Sequence, residues 1–261
     1  MLGAIAGDII GSIYEVTPIK SRNFPLFDPR CHFTDDTVLT LAVARAILTG
    51  GGYRENLLEL GRRYPEAGYG GSFRRWLFSL EPRPYHSWGN GSAMRVSPIG
   101  FAFDNEARVL AEARASAEIT HDHPEGIRGA QATALAVFLA RTGAGKQEIR
   151  RQIGETFGYD LEKSLDDIRP NYRFDVSCRG TVPQAIVAFL EADSWEDAVR
   201  NAVSLGGDSD TLACITGGIA EACFGGVPPP IRAQALSLLP GDLRAIAEEF
   251  EAKFPLGGKI V

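Results

Sequence analysis

The chain has 261 residues, 44% hydrophobic and 23% charged, with a formal net charge of −6. That is ordinary globular composition, ample for a buried core, and it fits one large domain or two small ones. It lacks the basic stripe of a non-specific nucleic-acid binder and any run of about 18 apolar residues able to span a membrane.

In chain order, the apolar stretch Met1 to Ile13 is interrupted by Asp8 and has no early positive cluster, so no secretory signal is expected. Gly3, Gly7 and Gly11 lie four apart within it. On a helix they form one smooth strip, and since glycine disfavours helix, a close helix–helix contact is the reason to keep them. Helical spacing of apolar residues next predicts a helix over Thr37 to Leu48, then others over Gly126 to Arg141, Thr181 to Glu191, Trp195 to Ser204, Thr211 to Phe224 and Leu243 to Lys253. No alternating run long enough for a strand occurs, so the predicted class is all-α, with many short helices. Gly and Pro clusters at Gly50–Gly52, Gly68–Gly71, Gly89–Gly91 and Pro228–Pro230 punctuate the helices. Arg150 to Arg173, the most polar stretch, reads as a surface excursion, and Arg62, Arg63, Arg74 and Arg75 are a local concentration of positive charge. No repeat or linker divides the chain, so a single domain over 1–261 is expected. Cys31, Cys178, Cys214 and Cys223 form no C-x-x-C pair and read as reduced thiols, which makes a cytoplasmic protein the default.

Two motifs stand apart. Phe33-Thr34-Asp35-Asp36-Thr37 and Gly207-Asp208-Ser209-Asp210-Thr211 each lie directly before an apolar helix. Thr and Asp are favoured helix caps, and acids stabilise the positive end of a helix. Capping needs one side chain, however, and here several polar side chains crowd each junction. Carboxylates and hydroxyls are hard oxygen ligands suited to Mg²⁺, Mn²⁺ or Ca²⁺. Should the two clusters meet, their mutual repulsion calls for cations. Glu15 alone reads as a glutamate near a helix end. Tyr85 to Arg95 mixes aromatic, glycine and hydroxyl residues, as either a loop or a phosphate cradle. His121 and His123 lack the partners of a zinc motif. Neither a nucleophile elbow nor a P-loop is present.

These motifs in this order, from Gly3-Ala-Ile-Ala-Gly-Asp-Ile-Ile-Gly-Ser-Ile-Tyr-Glu15 through Phe33-Thr-Asp-Asp-Thr37, Gly89-Asn-Gly-Ser-Ala-Met-Arg95 and Thr120-His121 to Gly206-Gly-Asp-Ser-Asp-Thr211, resemble the ADP-ribosylglycohydrolase family over about Leu2 to Gly226. The resemblance implies a compact single-domain all-α orthogonal bundle with two bound Mg²⁺, or Mn²⁺. It implies metal ligands Thr34, Asp35, Asp36, Asp208, Asp210 and Thr211, and substrate contacts at Gly70, Gly71, Ser87, Trp88, Gly89, Asn90 and His121. The implied reaction is hydrolysis at the anomeric carbon of the distal ribose of an ADP-ribosylated substrate, releasing ADP-ribose, with Glu15, Asp35 and Asp36 as the candidate proton-handling groups. A monomer with no membrane partner is expected; nucleic acid is disfavoured as a partner but stays open as an acceptor. The alternatives are a non-catalytic ADP-ribose-binding or crystallin-like relative, and an unrelated two-metal phosphoesterase.

Overall fold

A computed structural model of the chain describes residues 1–256. Fourteen α-helices and one short 3-10 turn are found among the described residues, with no strand and a single isolated antiparallel bridge, Gly89–Ser177. The all-α expectation holds. The six helices expected from apolar spacing are all present, as α2 (Asp35–Thr49), α7 (Pro124–Arg141), α10 (Cys178–Leu190), α11 (Trp195–Val203), α12 (Ser209–Phe224) and α14 (Gly241–Lys253).

The centre is built from α1 (Leu2–Val16) and α12, both apolar around nearly their whole circumference. They pack side by side, and the glycine strip of α1 is the contact. A Cβ at Gly3 would lie 2.3 Å from the Gly217 carbonyl oxygen, and one at Gly7 2.1 Å from that of Ala213. At Gly11 it would come within 2.4 Å of the Ser209 carbonyl oxygen and 2.6 Å of Asp210 Cα. Three glycines cost a helix roughly 3 kcal/mol relative to alanine. Here that cost permits backbone-to-backbone contact, and it sets the end of α1 beside the start of α12. Around this pair lie α2, α7, α10 and α11.

One expectation is corrected. Arg150 to Arg173 is no mere surface excursion, because α8 (Lys146–Phe157) and the short α9 (Leu165–Ile168) run through it. Ile149, Ile153 and Phe157 of α8, Leu161 of the connection and Leu165 of α9 are buried in the main core. The apolar residues are sparse and the intervening ones strongly charged, so composition hid an amphipathic helix. Likewise α6 (Glu106–Glu118) turns Val109, Ala113 and Ala117 inward at four-residue spacing, with a face too rich in alanine to stand out. The expected domain runs to residue 261, and 257–261 lie outside the described residues.

Candidate active site

Three helix ends converge. The N-terminus of α2 carries the first acidic motif, the N-terminus of α12 the second, and the last turn of α1 carries Glu15. One carboxylate oxygen each from Glu15, Asp208 and Asp210 lie within 4.8 Å of one another. Thr211 Oγ1 donates to Asp36 Oδ1 at 3.5 Å, a long bond that ties the second motif to the first. Two segments some 170 residues apart therefore form one acidic wall.

The capping reading holds for the first motif, where it does not exclude the other, and fails for the second. Thr34 is the N-cap of α2, its Oγ1 accepting from the Asp36 backbone N–H. Asp208 is the N-cap of α12 but accepts no capping bond with its side chain. It accepts instead from Asn90 Nδ2 at 2.7 Å. That carboxylate is aimed into the cleft and away from its own helix.

Burial and mutual repulsion push the carboxyls of Asp35, Asp36 and Asp210 well above the usual carboxylate range, burial being the larger cause. Glu15 moves the same way, through burial and then the charges of Asp208 and Asp8. At an effective dielectric near 20, each carboxylate pair at 4.8 Å repels by roughly 3 kcal/mol. No lysine or arginine is among the main influences on these three carboxyls. Asp36 Oδ2 is buried without a hydrogen-bond partner. An orphaned carboxylate oxygen in a wall of oxygen donors fits hard divalent cations.

A residue that the sequence reading passed over holds the first motif in place. Asp8 is fully buried. Its Oδ1 accepts from Thr34 Oγ1 at 2.7 Å, and its Oδ2 accepts from the backbone N–H groups of Thr34 and Thr37 at 3.0 and 3.1 Å and from the Thr37 hydroxyl. Burial raises its carboxyl and these four bonds pull it back. The available signal was a lone aspartate in an apolar helix, which earlier counted only against a secretory signal.

The acidic wall closes one side of a cleft of about 510 Å³, a size suited to a small organic ligand. Of the expected substrate contacts, Gly70, Gly71, Ser87, Gly89, Asn90 and His121 line it. A Cβ at Gly70 or Gly71 would meet nothing within 4 Å, so packing within the chain does not require glycine there. Both amide hydrogens of Asn90 are used on Thr181 and Asp208. Trp88 is the exception: it is half exposed and lies outside the lining. Sequence reasoning missed Phe174 and Val176, exposed apolar residues on the rim, together with His32, Glu66 and Ser72. The loop bearing Phe174 and Val176 is joined to the Gly89 turn by the Gly89–Ser177 bridge, a pairing that local sequence does not signal. His123 is an ordinary cap, accepting from the Glu125 N–H at the start of α7.

An all-α scaffold with a carboxylate wall facing a polar cleft offers hard oxygen donors beside a space for a small ligand. A family model described as ADP-ribosylglycohydrolase matches residues 1–258, and the chain belongs to that family. It is 26% identical to mouse "ADP-ribosylhydrolase ARH3", over 86% of this chain and 82% of that protein. It is 24% identical to "ADP-ribosylarginine hydrolase Tri1" of Serratia proteamaculans, over 88% of this chain and 72% of that one. A solved structure titled "ADP-ribosylglycohydrolase-related protein complex" superposes with a TM-score of 0.72 at 26% identity, covering 97% of this chain and 96% of that one. As a member of this family the chain is an enzyme, and the non-catalytic alternative is not favoured.

Proposed function

We propose that this enzyme hydrolyses the glycosidic bond between ADP-ribose and an acceptor group, using two divalent cations, Mg²⁺ or Mn²⁺, held in the acidic wall. The observation that carries the reading is the convergence of Glu15, Asp208 and Asp210 next to Asp36, with an orphaned buried carboxylate oxygen. Thr34, Asp35, Asp36, Asp208, Asp210 and Thr211 are the proposed ligands. When bound, the cations supply Lewis acidity at the distal ribose and compensate the carboxylate charge.

The chain's own groups do the rest. Asp8 fixes the Thr34 hydroxyl, and Asn90 fixes the Asp208 carboxylate. Gly70 and Gly71 leave room for the diphosphate beside their backbone N–H groups, and Ser87 and Gly89 line the same cleft. Glu15 is half-buried and makes no hydrogen bond among the described residues, so it is free to take a proton from an attacking water. Asp35 and Asp36 are the other candidates for that proton, and burial raises both well above the usual carboxylate range.

Residues 1–261 are proposed to act as one domain, a monomer in a reducing cytoplasm. Four unpaired cysteines support that compartment. Nucleic acid is not the favoured partner, because much of the basic cluster is neutralised: Arg63 pairs with Glu59 and Asp242, and Arg74 with Glu66. The test is release of free ADP-ribose from ADP-ribosyl-arginine, a serine-ADP-ribosylated peptide, O-acetyl-ADP-ribose and ADP-ribosylated DNA, each with Mg²⁺, Mn²⁺ or a chelator. Metal-dependent release from one substrate supports the reading and identifies the acceptor. Release of inorganic phosphate from phosphate esters in its place would overturn it.

A further inference from the structure

Arg95 is buried completely, yet it has no carboxylate partner among the described residues. Its Nη2 donates to the Ser116 carbonyl at 2.7 Å and to Thr120 Oγ1 at 3.0 Å, while Nε and Nη1 have no partner. Burying a guanidinium that is neither paired nor fully hydrogen-bonded is expensive, and an apolar side chain would fill the space at less cost. Packing therefore does not explain it.

The neighbours suggest what it does. Arginine is a donor only and stays protonated, so Thr120 Oγ1 must accept from it. The same oxygen lies 2.7 Å from His121 Nδ1. Were Nδ1 the donor, Thr120 Oγ1 could accept from both it and Arg95, but the hydroxyl proton of this fully buried threonine would then have no hydrogen-bonded acceptor among its contacts. With the threonine proton on the line to Nδ1, every atom in the chain has a complementary role, and the imidazole proton is left on Nε2. That nitrogen faces the glycine turn: a Cβ at Gly91 would lie 3.3 Å from it, and one at Gly89 3.5 Å. Nε2 makes no hydrogen bond within the described residues, and His121 lines the cleft.

We infer that Arg95 and Thr120 are positioning residues that lock His121 as the Nε2–H tautomer, so that it presents a fixed donor to an oxygen of the ligand across the Gly89–Gly91 turn. The ligand's identity rests on the proposed function; the tautomer does not. Burial, and after it the charge of Arg95, hold the imidazole far below its usual pKa. His121 is therefore neutral at working pH and serves as a donor without exchanging its proton in turnover. The Tyr85 hydroxyl is the competing acceptor for the threonine proton. Tyr85→Phe removes that acceptor and so separates the two arrangements.

The test is two-bond ¹H–¹⁵N spectroscopy of histidine side chains in the intact protein. With only four histidines, the His121 signals are assigned by their loss in His121→Gln. The wild type is expected to show Nε2–H and a bare Nδ1, unchanged between pH 6.5 and 8. Thr120→Val should yield a mixed or Nδ1–H pattern and weaken ADP-ribose binding about tenfold, whereas Thr120→Ser should restore both. Tyr85→Phe should keep the wild-type tautomer. An Nδ1–H pattern in the wild type, or an unchanged Nε2–H pattern in folded Thr120→Val, overturns the inference. A correct tautomer in a protein that does not bind ADP-ribose would leave the lock standing and refute the assigned substrate instead.

Discussion

Replacing Gly7 by alanine tests the central contact of the fold. The new Cβ would sit 2.1 Å from the Ala213 carbonyl oxygen, 2.5 Å from its carbon and 3.0 Å from the Cys214 nitrogen. All three are backbone atoms of α12, so no side chain can rotate away. A carbon–oxygen contact needs about 3.3 Å, and the helices must therefore part by roughly 1 Å. A gap of that size forfeits a quarter to a half of each dispersion contact along the seam. Overpacking in a core costs about 1–3 kcal/mol, and a rigid backbone obstacle belongs at the upper end. Improved helix propensity returns about 1 kcal/mol. The expected net loss is about 2 kcal/mol, or roughly 4–8 °C in melting midpoint for a domain of this size. Urea and thermal unfolding with a chelator present measure it, with Gly241→Ala as control, since nothing lies within 4 Å of a Cβ there. Gly7→Ala as stable as the wild type would refute the claim that the glycine strip exists for close approach.

Other expectations bear on the site. Gly11→Ala should lose similar stability and also about 100-fold in kcat/KM, because its Cβ would displace Asp210, and misplacement by about 1 Å costs that order. Asp210→Asn should abolish metal-dependent turnover while raising the unfolding midpoint in chelator, since it removes a buried charge that repels Asp208 and Asp36; a lower midpoint would contradict the repulsion. Asp8→Asn should weaken both metal affinity and stability, the latter by about 1.5–3 kcal/mol, because an amide cannot accept all four of its hydrogen bonds; unchanged metal titrations would show that Thr34 needs no such support. His121 has a depressed folded-state pKa, so below about pH 6.5 the unfolded chain binds a proton that the folded one refuses, and stability falls as pH falls. His121→Gln should reduce that slope by up to about 1.4 kcal/mol per pH unit, read from unfolding between pH 5 and 6.5.

Much of this was legible in sequence where chemistry is local. Thr34–Thr37 and Asp208–Thr211 carry too many polar groups for caps alone, and Gly3, Gly7 and Gly11 announce a helix seam by their spacing. What was not legible depends on partners remote in the chain. Asp8 orients a motif 26 residues away, and Asn90 holds Asp208 across 118 positions. Phe174 and Val176 reach the cleft only because their loop pairs with Gly89. The helix over 146–157 was masked by its charged face, since periodicity is weak where three apolar residues carry the whole buried side.

The acids of the wall differ in how firmly they are held, and that difference fits a division of labour. Thr34 is restrained by Asp8, Asp208 by Asn90, and Asp210 by its Oδ1 accepting from the Thr211 backbone N–H. These groups also sit at helix N-termini, where the helix dipole favours negative charge. Glu15 has neither advantage. It lies in the last turn of α1, at the negative end of that dipole, and it has no hydrogen-bond partner among the described residues. A ligand that must hold a cation gains from fixed geometry, while a group that must take up and release a proton gains from a raised pKa and freedom to move. The restrained oxygens suit the first task and Glu15 suits the second. Glu15→Gln should therefore leave metal affinity closer to wild type than Asp210→Asn does, while turnover falls as far.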